Sequence, residues 1–294
     1  MTQATKRFNG LASSRGRGLL LILTLPILGF DVASKTAFAS GTQDFRSLTP
    51  LQIAIEKQKQ RLNSSEVEER RDAVLRLGGL HRPEASRAAL SALSDLSPIV
   101  RATAANALRS LPADEGAAAL IPLLSDRDEF VGRETAYALG ATRSRSAVRA
   151  LVERLETDKR DSVRAAAAVA LGRIGDEAAV IALAQTLSGQ TTSVPEKQRQ
   201  KQWTKENEFV LRAAAVSLGQ IGSRAGVPAL IGALSNERLP EDVRRETARA
   251  LGLIGDSSAV PALQAALTAR DPYLSRIAYE ALRKVAPAEA RTPS

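Results

Sequence analysis

The sequence predicts an all-α solenoid of about seven helical hairpins, and three observations carry that reading. A unit of 31 to 33 residues recurs along most of the chain, with anchor leucines at Leu77, Leu108, Leu139, Leu171, Leu218, Leu251 and Leu282. Apolar residues within each unit return every three or four positions, the period of a helix with one buried face. Aromatic residues make up 3% of the chain while apolar content reaches 44%, so the core is built from Ala, Leu, Val and Ile. Alanine and leucine are strong helix formers, and a small side chain lets two helix backbones approach closely.

The clearest unit runs from Val163-Arg164 through Ala170, Leu171-Gly172, Ile174 and Gly175-Asp176, then Ala178, Ala179, Val180 and Leu183. It recurs from Val243-Arg244 through Leu251-Gly252, Ile254 and Gly255-Asp256 to Val260-Pro261 and Leu263, and from Val210 through Leu218-Gly219, Ile221-Gly222 to Val227-Pro228 and Leu230. Each copy reads as two helices. Val163, Ala167, Ala170, Leu171 and Ile174 fall on one face of the first. The Gly after the anchor leucine and a second Gly three residues later are expected to end it by admitting a left-handed backbone. Asp176 and Asp256 stand where a carboxylate can cap the next helix. Pro228 and Pro261 fall in the first turn of the second helix, where a missing amide costs nothing.

The anchor spacings are 31, 31, 32, 47, 33 and 31, so one interval carries an insertion of about 15 residues, within 188–208. That segment holds Lys197, Arg199, Lys201 and Lys205 around the only tryptophan, Trp203. Loops on a rigid scaffold concentrate binding residues, and Trp and Arg are favoured interface anchors. These five are one candidate partner-binding set; a solvated excursion with Trp203 folded onto its neighbours is the competing reading.

The unit Val-Arg-x-x-Ala-Ala-x-Ala-Leu-Gly-x-Ile-Gly-Asp resembles the HEAT-like repeat of phycobiliprotein lyases, within the HEAT and armadillo superfamily, over roughly residues 66–286. The resemblance implies a right-handed α-α superhelix of HEAT-like hairpins with the second helices on the concave side. Their candidate exposed positions include Arg87, Ser91, Pro122, Arg149, Glu153, Gln185, Pro261 and Ala265, of which Arg87, Arg149, Glu153 and Gln185 are the second partner-binding set. Members of this family include chromophore lyase subunits, deoxyhypusine hydroxylase and bacterial binding scaffolds. The hydroxylase holds di-iron through His-Glu pairs, and this chain lacks them.

The N-terminus has three parts: Lys6, Arg7, Arg15 and Arg17, then an apolar run from Gly18 to Phe30, then Ala37-Phe38-Ala39 before Ser40. This is the pattern of a cleavable secretory signal peptide over residues 1–39. The run is too short to span a bilayer, for which about 20 apolar residues are needed. Residues 40–50 then read as a flexible linker, 51–62 as an amphipathic capping helix entered at Thr49-Pro50, 66–286 as the solenoid, and 287–294 as a tail. Export to the periplasm or cell exterior follows from the signal, and the membrane is expected to matter only before cleavage.

The formal charge of +9 raises nucleic acid as a partner. Residues 1–39 hold five basic residues against Asp31, so processing leaves +5. The expected second-helix surface has neither a basic run nor interleaved aromatics to track phosphates, which disfavours nucleic acid. Arg101, Arg164 and Arg244, with Arg133, Arg212 and Arg276 one position later, follow acidic residues at Asp128, Asp161, Asp242 and Asp271. An anion-binding ladder is one reading; Asp–Arg pairing along the stack, tracking the repeat, is favoured.

One histidine, His81, and no cysteine cannot build an ordinary zinc site or a cysteine nucleophile. No catalytic residues, metal or cofactor are therefore expected. The reading is a non-catalytic exported scaffold for protein partners; an accessory subunit of a lyase-like or other modifying enzyme is the alternative.

Overall fold

The computed structural model describes residues 48–189 and 205–290; the proposed signal peptide and most of the insertion lie outside them. Among the described residues the structure is helical, with no strand. Helix α1 spans Pro50–Arg61, and seven first helices follow: α2 (Val67–Gly79), α4 (Pro98–Ala107), α6 (Glu129–Thr142), α8 (Asp161–Ile174), α10 (Lys205–Ile221), α12 (Glu241–Ile254) and α14 (Pro272–Val285). Between them lie the second helices α3 (Pro83–Ala88), α5 (Ala113–Leu120), α7 (Val148–Thr157), α9 (Val180–Leu187), α11 (Val227–Ser235) and α13 (Val260–Ala266). Each first helix packs on the next, and α7, α9, α11 and α13 pack in the same order. The result is a helical repeat solenoid of six paired hairpins closed by α14 and a short 3₁₀ turn, Pro287–Glu289.

The anchor leucines are the reason the hairpins close. Leu77, Leu108, Leu139, Leu171, Leu251 and Leu282 are fully buried, and Leu218 is 1% exposed. Burying one such side chain contributes roughly 1.5–3 kcal/mol. Around them Val163, Ala167 and Ala170 are buried, with Ile174 at the half-buried margin.

The two glycines of the unit do different jobs. Gly175, Gly222 and Gly255 adopt φ of +74°, +75° and +74° and terminate their helices. The Gly beside the anchor leucine does not end the helix, contrary to the expectation. It stays helical and faces the residue before the next anchor: a Cβ on Gly140 would lie 2.7 Å from Ala170 Cα, and one on Gly219 2.9 Å from Ala250 Cα. The pair sets how closely consecutive first helices stack. Arg109 occupies this place after Leu108, and there the first helix gives way to a 3₁₀ turn, Leu108–Ser110. Arg143 and His81 take the left-handed place in their own hairpins, with φ of 56° and 50°.

Asp176 and Asp256 cap the connection as expected, each accepting from the amide two residues on, Ala178 and Ser258. The segment they cap is a 3₁₀ turn preceding the second helix. Helix α1 is entered through a capping box in which the Gln52 amide donates to Thr49 Oγ1 and the Thr49 amide to Gln52 Oε1. It packs on α2, where Arg61 reaches Asp72 at 2.6 Å.

Candidate interaction surfaces

Of the repeated arginines, Arg101 ties successive hairpins together through a carboxylate, and its partner is not the one the spacing suggests. Arg101 donates to both oxygens of Asp126, at 2.7 and 2.9 Å, and its remaining nitrogen reaches the carbonyls of Asp95 and Leu96. Arg70 repeats the arrangement with Asp95 and the carbonyls of Ser64 and Ser65. One guanidinium thus fastens the loop before its helix to the loop after its hairpin. Asp126 and Asp95 also accept the amides of Asp128 and Ser97. Asp128 is not Arg101's hydrogen-bonded partner; it caps α6 through the amides of Phe130 and Val131. Arg164 pairs with Asp161 on its own helix and reaches the Leu155 carbonyl, Arg244 reaches the Leu234 carbonyl, and Arg276 pairs with Glu280. Arg245, one place beyond Arg244, takes Asp271 at 2.6 and 2.8 Å.

These pairs leave an electrostatic signature. The Arg70 guanidinium holds Asp95 below the usual carboxylate range against the opposing effect of burial. Burial pushes Asp126 up, but hydrogen bonds from Arg101 and the Asp128 amide outweigh it and the net direction is down. Asp271 is lowered by Arg245 in the same way.

The third hairpin departs from the pattern instructively. The place of Arg70 and Arg101 is taken by Gly132, and Arg160 fills the vacancy: its Nη2 lies 3.5 Å from where a Cβ on Gly132 would be. Arg160 grips both oxygens of Asp158 at 2.9 Å and donates to the Asp126 carbonyl. The clamp survives with its cation supplied from a loop.

The second-helix candidates are exposed but do not form one cluster. Arg87 on α3 is committed to Glu115 on α5, at 2.7 and 2.8 Å. Arg149 and Glu153 lie on α7, with Glu153 paired to the adjacent Arg154 at 2.6 Å. Gln185 lies on α9 one turn from Ile181, whose 70% exposure had no warning in the repeat pattern. Lys197, Arg199, Lys201 and Trp203 lie outside the described residues, as does the side chain of Lys205.

A hollow of about 680 Å³ opens instead on the first helices, across α6, α8 and α10. Arg133 and Tyr137 come from α6, Phe209 and Arg212 from α10, and Ser162, Ala165 and Val169 from α8 between them. Lys159 and Arg160 stand in the loop entering α8. Arg133 lies 5.1 Å over the Phe130 ring and Arg212 5.4 Å over Phe209. The signal was present in the repeat: counted from the anchor leucine, Ser162 and Ala165 occupy the places of Phe130 and Arg133 in one neighbour and of Phe209 and Arg212 in the other.

Among the described residues no group of three His, Cys, Asp or Glu is placed to hold a metal ion, and no helix is long and apolar enough to cross a membrane.

The family model for HEAT repeats matches residues 55–140, 117–198 and 237–293, and that for the PBS lyase HEAT-like repeat matches 210–236. Among solved structures, the X-ray structure of Escherichia coli YibA is similar at 18% identity and a TM-score of 0.53, over 80% of this chain and 81% of that one. The complex of CpcE and CpcF of phycocyanin lyase from Nostoc sp. PCC7120 is similar at 23% identity and a TM-score of 0.47, over 82% and 89%. Human deoxyhypusine hydroxylase in complex with glycerol is similar at 22% identity and a TM-score of 0.39, over 79% and 84%. No curated protein matches the chain.

Proposed function

Because the chain belongs to the HEAT repeat family, matched over most of its length, we propose that it is an exported, non-catalytic scaffold that binds protein partners along its stack. The observation that carries this reading is the division between inner and outer positions of the second helices. Inner positions repeat as small or branched apolar residues, such as Leu151, Leu183, Leu230 and Leu263, all fully buried. Outer positions change from hairpin to hairpin: Arg149 and Glu153, then Ile181 and Gln185, then Pro228 and Gly232, then Pro261 and Ala265. A solenoid whose core is uniform while its exposed face varies is suited to reading an extended partner surface.

The reading of the protein as non-catalytic is supported by composition. His81, the only histidine, supports a left-handed turn after α2, and cysteine is absent. Export is supported by the basic segment, the Gly18–Phe30 apolar run and Ala37-Phe38-Ala39.

Two measurements test the proposal. N-terminal sequencing of the mature protein is expected to begin at Ser40, and a start before Gly18 would sink the export reading. Cross-linking with mass spectrometry on the envelope fraction is expected to place partner peptides on the stack, and a protein that cross-links to nothing would sink the scaffold.

A further inference from the structure

We propose that the hollow across α6, α8 and α10 binds an acidic peptide segment of a partner protein, with an apolar side chain on the Ala165–Val169 floor and carboxylates against Arg133 and Arg212. The inference deepens the scaffold reading and rests on it. The hollow exists because α8 carries Ser162 and Ala165 where both neighbouring first helices carry Phe and Arg. Two large side chains that both flanking helices carry are missing at α8, and Arg133 and Arg212 line the gap. A volume of this size matches a ligand of a few residues, since binding pockets commonly measure about 300–1,000 Å³.

Charge complementarity selects the occupant. Of the acidic lining groups, Asp161 is held by Arg164 at 3.0 Å and Glu129 accepts the Ser162 hydroxyl. Arg160 is neutralised by Asp158. Arg212 and Lys159 have no carboxylate partner among the described residues, and Arg133 has its half-buried neighbour Glu134, at 3.3 Å. The ring of Phe209 holds Arg212 in place without competing for its donors, so that guanidinium edge is available to a carboxylate, while Arg133, over the Phe130 ring, gives Nε and Nη2 to one oxygen of Glu134 at 3.3 Å and keeps Nη1 for a ligand. Tyr137, Ala165, Val169, Ala213 and Val216 supply the apolar lining that a purely phosphate-binding groove would not need.

The test uses the purified full-length protein and a fluorescent acidic hexapeptide, two Glu on either side of a central Leu-Phe. Matched peptides carry Gln or Lys in place of Glu, and a single-stranded oligonucleotide serves as the polyanion control. The expected result is saturable binding of the acidic peptide that weakens about tenfold or more with the Gln peptide, with R212Q, and with rising salt. The double variant S162F/A165R restores at α8 the residues its neighbours carry, so it is expected to keep the helical signal and melting behaviour while losing the peptide. Equal binding by the filled variant, equal binding of the Gln peptide, or preferential binding of the oligonucleotide would each overturn the proposal. Partner cross-links retained on the second helices of the filled variant would overturn the hollow and leave the scaffold standing; cross-links absent from every face would remove the scaffold itself.

Discussion

A Cβ placed on Gly252 would lie 2.7 Å from the Cβ of Ala281 and 2.8 Å from its Cα, so these two residues bring α12 and α14 together at backbone distance. The relationship repeats at Gly140 with Ala170 and at Gly219 with Ala250. At the junction that carries the insertion, Ser217 takes the alanine's place opposite Gly172 and donates to the buried Ala168 carbonyl at 2.8 Å. Gly252→Ala is therefore expected to destabilise the protein by about 1–3 kcal/mol through overpacking, despite the helix-propensity gain of about 1 kcal/mol. Gly232→Ala, on α11 with no atom within 4 Å of the new methyl, is expected to stabilise by up to about 1 kcal/mol. Urea unfolding of the two variants reads the opposite signs directly.

Arg101 and Asp126 are each 9% exposed in their side chains and joined by two hydrogen bonds. Removing the cation by Arg101→Ala leaves a carboxylate and the Asp95 and Leu96 carbonyls short of a donor. The expected loss is about 2–3 kcal/mol. In a double-mutant cycle with Asp126→Asn the two losses should fall short of additive. Full additivity would mean the pair contributes nothing beyond its separate parts.

Acid should loosen the stack through the same clamps. Asp95, Asp126, Asp158 and Asp271 all have folded-state pKa values below the ordinary carboxylate range. A group lowered on folding contributes stability that is fully present above its unfolded pKa and is lost as pH falls through the folded one. Stability in urea is expected to hold from pH 7 to about 5 and then to fall progressively below about pH 4. Asp126→Asn should make the acid limb shallower; an unchanged limb would exclude this clamp as a contributor.

Arg160 substitutes for the arginine missing at Gly132, which predicts a rescue. Arg160→Ala should destabilise by about 1–3 kcal/mol, because it leaves the Asp158 carboxylate only the more distant Arg154, at 3.9 Å. Adding Gly132→Arg on α6 places a guanidinium where Arg70 and Arg101 carry theirs, and should recover most of that loss. Thermal melts of the single and double variants decide it; a double variant no better than Arg160→Ala would show that the clamp cannot be supplied from the helix here.

His81 carries a side chain at φ 50°, the place filled by Gly175, Gly222 and Gly255 in other hairpins. His81→Gly is expected to stabilise by about 1 kcal/mol by relieving the left-handed penalty. The midpoint of thermal unfolding is the readout, and a decrease would mean that the imidazole makes a compensating contact.

The sequence by itself determined the helical hairpins, the anchor leucines and the left-handed glycines, because each follows from residues close together in one chain segment. Burial repeats every three or four residues, and a turn needing positive φ favours glycine, as at Gly175, Gly222 and Gly255, though His81 and Arg143 hold the same place in their hairpins. The tertiary structure alone decided what the repeated positions meet. Gly78, Gly140, Gly219 and Gly252, each beside an anchor leucine, read locally as helix terminators, yet each faces an alanine about 30 residues on. Arg101 takes Asp126 while Asp128 caps two helix amides, a division between two nearby aspartates that spacing does not reveal. The hollow was latent in the small residues Ser162 and Ala165, but only the stacking of α6 and α10 on either side turned two short side chains into a concave surface. Local pattern specifies elements, whereas a long arginine's partner and a missing side chain's consequence depend on which hairpins become neighbours.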